Sequence, residues 1–191
     1  MSNSNMAKLE NFTAEDRINA TLLENDIHYL SGEITEENIA SAIKWIITAD
    51  LTKKPKRKLV LYINSEGGDL YQAFGLIDVM KRSSHTISTV GVGSVMSAGF
   101  LIFASGDKGH RYIGTNTGIM CHQFSTSVEN KHHDIKAQMK ENTNCDQRMV
   151  SILKQATDFS IAEVRKKLLP PSDVYFTAKQ LIDLKIADHI L

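Results

Sequence analysis

The stretch LVLYIN, residues 59–64, runs without a charged residue directly into SEGGD, residues 65–69. A strand of that composition suits burial on both faces, which requires a sheet with helices packed over it. The two glycines then break it, and Leu70, Phe74, Ile77 and Val79 or Met80 recur at the spacing of a core-facing helix. The same succession repeats downstream. HTISTVGV predicts a strand, a helix follows from about Ser97 to Ala104, and a turn at SGDKG leads to a strand around Tyr112. A second turn at GTNTG precedes the short strand IMCHQF. Upstream, TEENIASAIKWII has Thr35 as N-cap and apolar residues at Ile39, Ala42, Ile43, Ile46 and Ile47. Alternating strands and helices predict an α/β domain of right-handed crossovers on a mainly parallel sheet.

A chain of 191 residues holds one sizeable core, not two domains and a linker. Residues 17–191 are therefore read as one domain, and the polar segment 1–16 is expected to be mobile unless a partner orders it. The 22 basic and 22 acidic residues cancel, so no global field draws the protein to nucleic acid or an anionic membrane. The basic run Lys53 to Lys58 around Pro55 reads as a solvated loop. No membrane-spanning stretch or secretion signal is visible, and two cysteines without zinc or redox spacing suit a reducing cytoplasm.

From His132 to Ala156 there is no proline or glycine, and Ile135, Met139, Val150, Ile152 and Leu153 form a thin apolar stripe among charges. This predicts a long helix that projects outward to pack against another subunit. SIAEVRKKLLPP then offers a capping box at Ser160 and Glu163 and a stop at Pro170 and Pro171. FTAKQLIDLKIADHIL supplies a last short helix and a terminal apolar segment.

Three suggestive patterns fail on chemistry. GVG at 91–93 resembles a dinucleotide loop, but Met96 stands where a third glycine is needed and no acidic residue is placed to bind ribose. His132 and His133, adjacent on a helix, point about 100° apart, with no third ligand one turn away. Cys121 and His122, neighbours on a strand, face opposite sides and make a poor thiol–imidazole dyad.

GSVMSAGFLIFASG, residues 93–106, crowds small residues around Ser97. Alone, Ser97 reads as a helix cap, His122 as a core or edge histidine and Asp173 as a turn residue. Together they supply a hydroxyl, a base and a carboxylate. NSEGGD and the helix after Ser97 add free backbone N–H groups.

Four segments in order carry a family resemblance. LYINSEGGDLYQAF is similar to a strand and glycine turn usually written YINSPGG, and GSVMSAGFLIFASGDKGHR to a nucleophile segment followed by A-G-x-x-G-x-R. IMCHQF is similar to MIHQP, and DVYFTA to D-x-[FYW]-[LM]-[ST]-A. From about Leu22 onward the chain resembles the proteolytic subunits of Clp proteases (ClpP), serine peptidases of the crotonase-like superfamily. The resemblance implies a repeated ββα superhelical fold with a protruding handle at about residues 124–156. It makes Ser97 the nucleophile, His122 the general base and Asp173 its orienting carboxylate, with Gly68 and Ala98 donating N–H groups to the oxyanion. The small neighbours of Ser97 are then expected to let an extended peptide lie against it. The resemblance also implies a homo-oligomer of two stacked seven-membered rings, unfolded proteins and peptides as substrates, and no cofactor or metal. ATP would be used by a partner AAA+ unfoldase, in keeping with the lack of a phosphate loop here.

The chain departs from that family at several points. Glu66 replaces the usual proline, STSVENKHHD lacks a glycine-rich run, and Ser172 and Val174 flank Asp173 where an acid–arginine combination is common. At the N-terminus only RINATLL aligns, which puts the usual unfoldase contact in question. Two other functions share this frame: a non-catalytic ring subunit, disfavoured because all three residues are present, and an acyl-CoA hydratase or isomerase, which typically uses glutamates and a longer chain.

Overall fold

The computed structural model describes residues 13–52, 55–126 and 131–191, apart from the side chain of His132. Lys53 and Lys54 of the basic run, residues 1–12 and residues 127–130 lie outside them. The described elements are α1 (Ala14–Glu24), β1 (Ile27–Ser31), α2 (Glu36–Leu51), β2 (Lys58–Ser65), α3 (Leu70–Arg82), β3 (Thr86–Met96) and α4 (Ala98–Ala104). They continue with β4 (Arg111–Ile113), β5 (Gly118–Cys121), α5 (His132–Ala156), α6 (Ile161–Lys167), β6 (Val174–Phe176), α7 (Ala178–Asp183) and β7 (His189–Ile190).

The sheet runs β1-β2-β3-β4-β7, and all of these pairs are parallel. β3 serves two partners in succession: Thr89 to Gly91 pair with β4, whereas Ser94 to Met96 pair with β5. Between these stretches Asn64 Oδ1 accepts a hydrogen bond from Ser94 N at 3.0 Å, filling the space beside Gly93. β6 closes this branch antiparallel to β5. Mixed α/β architecture on a mostly parallel sheet is thus what the alternating pattern predicts.

β2 differs from the expectation of burial on both faces. Leu59, Leu61, Ile63 and Ser65 are buried, but Val60, Tyr62 and Asn64 are half-buried. Its apolar run reads as continuous because Val60 and Tyr62 lie on the less covered face. On α2, Ile39, Ala42, Trp45, Ile46 and Ala49 are buried, while Ile47 is exposed, so the core-facing stripe is rotated toward Trp45. Helix α1, absent from the sequence reading, is closed by a capping box. Thr13 Oγ1 accepts from Asp16 N at 3.1 Å, and Asp16 Oδ2 accepts from Thr13 N at 2.9 Å. It buries no residue, which is why hydrophobic spacing does not reveal it. Strands β1 and β6 are likewise additions.

The long helix α5 has the predicted bounds but divides into two parts. Ile135 is half-buried and Met139 is 63% exposed on its first half. Cys145, Met149, Val150, Ile152, Leu153 and Ala156 belong to the main core on its second half. The expectation that it projects outward therefore fits only the first half, because the stripe is too thin for burial there and dense enough after Asn144. α6 carries the predicted capping box: Ser160 N donates to Glu163 Oε2 at 3.0 Å, and Glu163 N donates to Ser160 Oγ at 3.3 Å.

Candidate active site

Strand register brings Ser97, His122 and Asp173 together. Met96 pairs with Met120 across β3 and β5, and Cys121 pairs with Val174 across β5 and β6. Each of the three residues stands one position beyond one end of a strand: Ser97 after β3, His122 after β5 and Asp173 before β6. Ser97 N donates to Met120 O at 3.0 Å, which holds the end of β3 against β5. His122 Nε2 lies 2.8 Å from Ser97 Oγ, and His122 Nδ1 lies 3.2 Å from Asp173 Oδ1. An ionised carboxylate only accepts hydrogen bonds, so Nδ1 carries the proton and a neutral ring presents Nε2 as acceptor to the Ser97 hydroxyl.

Ser97 stands at the N-cap position of α4, yet its side chain makes no capping bond. Its backbone is at φ 52°, ψ −121°, a region disfavoured for residues with a Cβ. The strained turn aims the hydroxyl at His122 instead of at the helix. The helix itself begins at Ala98, one residue later than the sequence predicts. Ala98 and Gly99 are buried, and a Cβ on Gly99 would lie 3.1 Å from Ser65 O. These small residues therefore face inward and let α4 pack on the end of β2, which differs from the expected role of clearing room for a peptide.

The glycine turn closes the other side. Gly67 and Gly68 have φ of 111° and 142°. Gly67 N donates to Ser65 Oγ at 3.1 Å, Ile34 N donates to Gly67 O at 2.7 Å, and Asp69 N donates to Ile34 O at 3.0 Å. In a parallel bridge successive amides alternate in direction, so the N–H of Gly68 points away from Ile34. Gly68 lines a cleft of about 390 Å³ together with Ser97 and His122. As the first residue of a helix, Ala98 has no intrahelical acceptor for its own N–H.

The walls of this cleft escape a reading of the sequence. Leu70 and Tyr71 come from α3, Phe124 from the segment after β5, and Gln138, Asn142 and Cys145 from α5. Tyr71 Oη donates to Glu141 Oε1 at 3.1 Å, so a bond joins α3 to α5. Its neighbour Cys145 foremost, then burial and Glu141, hold the Tyr71 hydroxyl well above its ordinary pKa and keep it a neutral donor. Cys121, beside His122, is buried, and burial pushes its thiol up to about 12. Its side chain and that of His122 diverge, as alternation along a strand requires. Among the described residues no group of acidic, histidine and cysteine side chains is arranged to hold a metal ion, and no helix is long and apolar enough to cross a membrane.

The parallel sheet, the handle-like α5 and this strand-end cluster define an α/β protein of the Clp type. The chain belongs to the Clp protease family, whose sequence model matches residues 10–191. It is 32% identical over 170 residues to the ATP-dependent Clp protease proteolytic subunit 1 of Leifsonia xyli subsp. xyli, covering 88% of this chain and 84% of that protein. It is 30% identical over 176 residues to the ATP-dependent Clp protease proteolytic subunit 2 of Corynebacterium diphtheriae, covering 92% of this chain and 87% of that protein.

Proposed function

We propose that the protein is a serine-type endopeptidase subunit that cleaves unfolded polypeptides and short peptides through an acyl-enzyme at Ser97. The observation that carries this reading is the 2.8 Å contact between Ser97 Oγ and His122 Nε2, continued at 3.2 Å from Nδ1 to Asp173. Family membership and the strained backbone of Ser97 support it.

In the first step Ser97 Oγ attacks the scissile carbonyl carbon while His122 Nε2 takes the hydroxyl proton. Negative charge then develops on the carbonyl oxygen, which the N–H groups of Gly68 and Ala98 stabilise; loss of one such donor typically costs ~3 kcal/mol of barrier lowering. Asp173 holds the imidazole in the tautomer the step needs and faces the imidazolium that forms. Collapse of the intermediate breaks the C–N bond, and the leaving nitrogen takes the proton from Nε2. Water, deprotonated by His122, then attacks the ester and releases the acid, returning the proton to Ser97. None of these steps calls for a cofactor.

Residues 17–191 act in this reading as one peptidase domain, whose first helix is started a few residues earlier by the capping box of Thr13 and Asp16. The exposed first half of α5 supplies surface for contact between two stacked seven-membered rings. A separate AAA+ unfoldase would spend the ATP, and a cytoplasmic setting suits the two free thiols. The direct test is intact-mass labelling with a fluorophosphonate together with cleavage of a fluorogenic peptide. The wild type gains one adduct and cleaves, and Ser97→Ala does neither. A well-folded wild-type oligomer that resists labelling would overturn the reading.

A further inference from the structure

A second cleft adjoins the first. It has a volume of about 510 Å³ and is lined by Gly32, Glu33, Asn64, Glu66, Ser94 and the glycine turn. Gly68 belongs to both clefts, so the amide assigned to the oxyanion stands at the partition between them. The Glu33 side chain reaches this partition: a Cβ on Gly68 would lie 3.0 Å from Glu33 Cγ. Glu66 immediately precedes the turn, and both glutamates are exposed. Among the described residues neither carboxylate has an ion-pair partner. Asn64 and Ser94 form a neutral wall, already engaged with each other through the 3.0 Å bond from Ser94 N to Asn64 Oδ1.

The cleft around Ser97 has a different character. Its walls include Leu70, Tyr71, Phe124, Gln138 and Asn142, all uncharged. Among the described lining residues its one carboxylate, Asp69, is occupied in capping α3, accepting from Tyr71 N at 2.7 Å and Gln72 N at 3.1 Å.

A polypeptide whose scissile carbonyl rests on the Gly68 amide must extend from it in two directions, and a cleft lies on each side. Chemistry decides which half goes where. When the C–N bond breaks, the leaving half gains an amino group that is an ammonium at neutral pH, while the acyl half stays on Ser97 as an ester and becomes a carboxylate only when water releases it. Two uncompensated carboxylates attract the ammonium and repel the carboxylate. We propose that the Glu33–Glu66 cleft receives the leaving-group side of the substrate and favours lysine or arginine in the first two positions beyond the scissile bond. This deepens the peptidase reading and rests on it. Because both glutamates are solvated, the preference is modest and weakens with salt.

The experiment compares quenched fluorescent peptides identical on the acyl side and carrying Lys-Lys, Gln-Gln or Glu-Glu directly after the cleaved bond. The wild type is expected to show kcat/KM about three- to tenfold higher for Lys-Lys than for Glu-Glu at low salt, narrowing at high salt. The double variant E33Q/E66Q is expected to bring that ratio close to one. Equal rates in the wild type, a ratio unchanged in the variant, or a variant-sensitive preference that appears only when the charges are moved to the acyl side would each overturn the proposal. Fluorophosphonate labelling of Ser97 in parallel separates the two levels: labelling without charge preference sinks this inference alone, and absence of labelling sinks the peptidase reading beneath it.

Discussion

Gly67 and Ser97 approach so closely that a Cβ on Gly67 would lie 2.6 Å from Ser97 Cβ and 3.1 Å from Ser97 Oγ. The glycine turn and the strained turn before α4 thus form one unit, each denying space to the other. Gly67→Ala combines that collision with a φ of 111°, which strains any residue bearing a Cβ. The expected result is a loss of about 1–3 kcal/mol of stability and at least ~10-fold slower fluorophosphonate labelling. Urea unfolding and labelling kinetics check the two effects separately.

The link from His122 to Asp173 is the more solvated half of the proposed relay, since the Asp173 side chain is 51% exposed. Water can replace part of what the carboxylate does. His122→Ala is therefore expected to lower kcat/KM by ~10³-fold or more, and Asp173→Ala, which leaves room for water beside Nδ1, by a smaller factor, ~10²-fold. Peptide hydrolysis by both variants, normalised to oligomer content, tests that ordering. An Asp173→Ala variant as inactive as His122→Ala would show that water does not substitute.

Arg111 is 1% exposed and grips the C-terminal region. Its Nε and Nη2 donate to the two oxygens of Asp188 at 2.9 and 2.7 Å, Nη1 donates to Ala156 O at 2.8 Å, and Nη2 to Lys185 O at 2.8 Å. Arg111→Met leaves Asp188 without its counter-ion and frees both carbonyls, for an expected cost of about 3–5 kcal/mol in urea unfolding.

The same pair makes a pH prediction. Burial alone would push Asp188 up, but hydrogen bonds and charge from Arg111 outweigh it and hold the carboxyl below its ordinary 3.8. A folded pKa lower than the unfolded one contributes stability that is complete above 3.8 and is lost as pH falls through the folded value. The wild type is expected to lose stability steeply on acidification below that point, and Asp188→Asn to show a shallower slope at lower overall stability.

Cys121 sits next to His122 in the chain, yet burial pushes its thiol up to about 12. Iodoacetamide at neutral pH is expected to leave it unmodified in the folded protein and to alkylate it in guanidinium chloride. Peptide mapping distinguishes the outcomes. Modification of native Cys121 would contradict the divergence of this thiol from the imidazole.

Much of the fold is legible in the residues. Helix α5 has its predicted bounds because no glycine or proline interrupts 132–156, and α6 because Ser160 and Glu163 signal its start. Helix α1 and strands β1 and β6 are not legible, since α1 buries nothing, β1 buries only Leu30 and β6 buries no residue fully, so none shows a clear apolar periodicity. Glu66 stood out only as a departure from a family pattern, and its partner Glu33 did not stand out at all. They line one cleft because Ile34 bridges to Gly68.

Local order gives the clearest division. Residue type and short-range spacing determined which segments are helices and central strands, and which side chains could carry chemistry, because propensity, capping and periodicity act within a few residues. Only the tertiary structure decided that Ser97, His122 and Asp173 share one hydrogen-bonded line, that the small residues beside Ser97 face inward, and that Gly68 belongs both to the cleft of Glu33 and Glu66 and to the cleft of Ser97. Those relations depend on the registers of β3 with β5 and of β5 with β6, and on helices distant in sequence. Register is set by which faces the whole core can bury together, a condition no single segment contains.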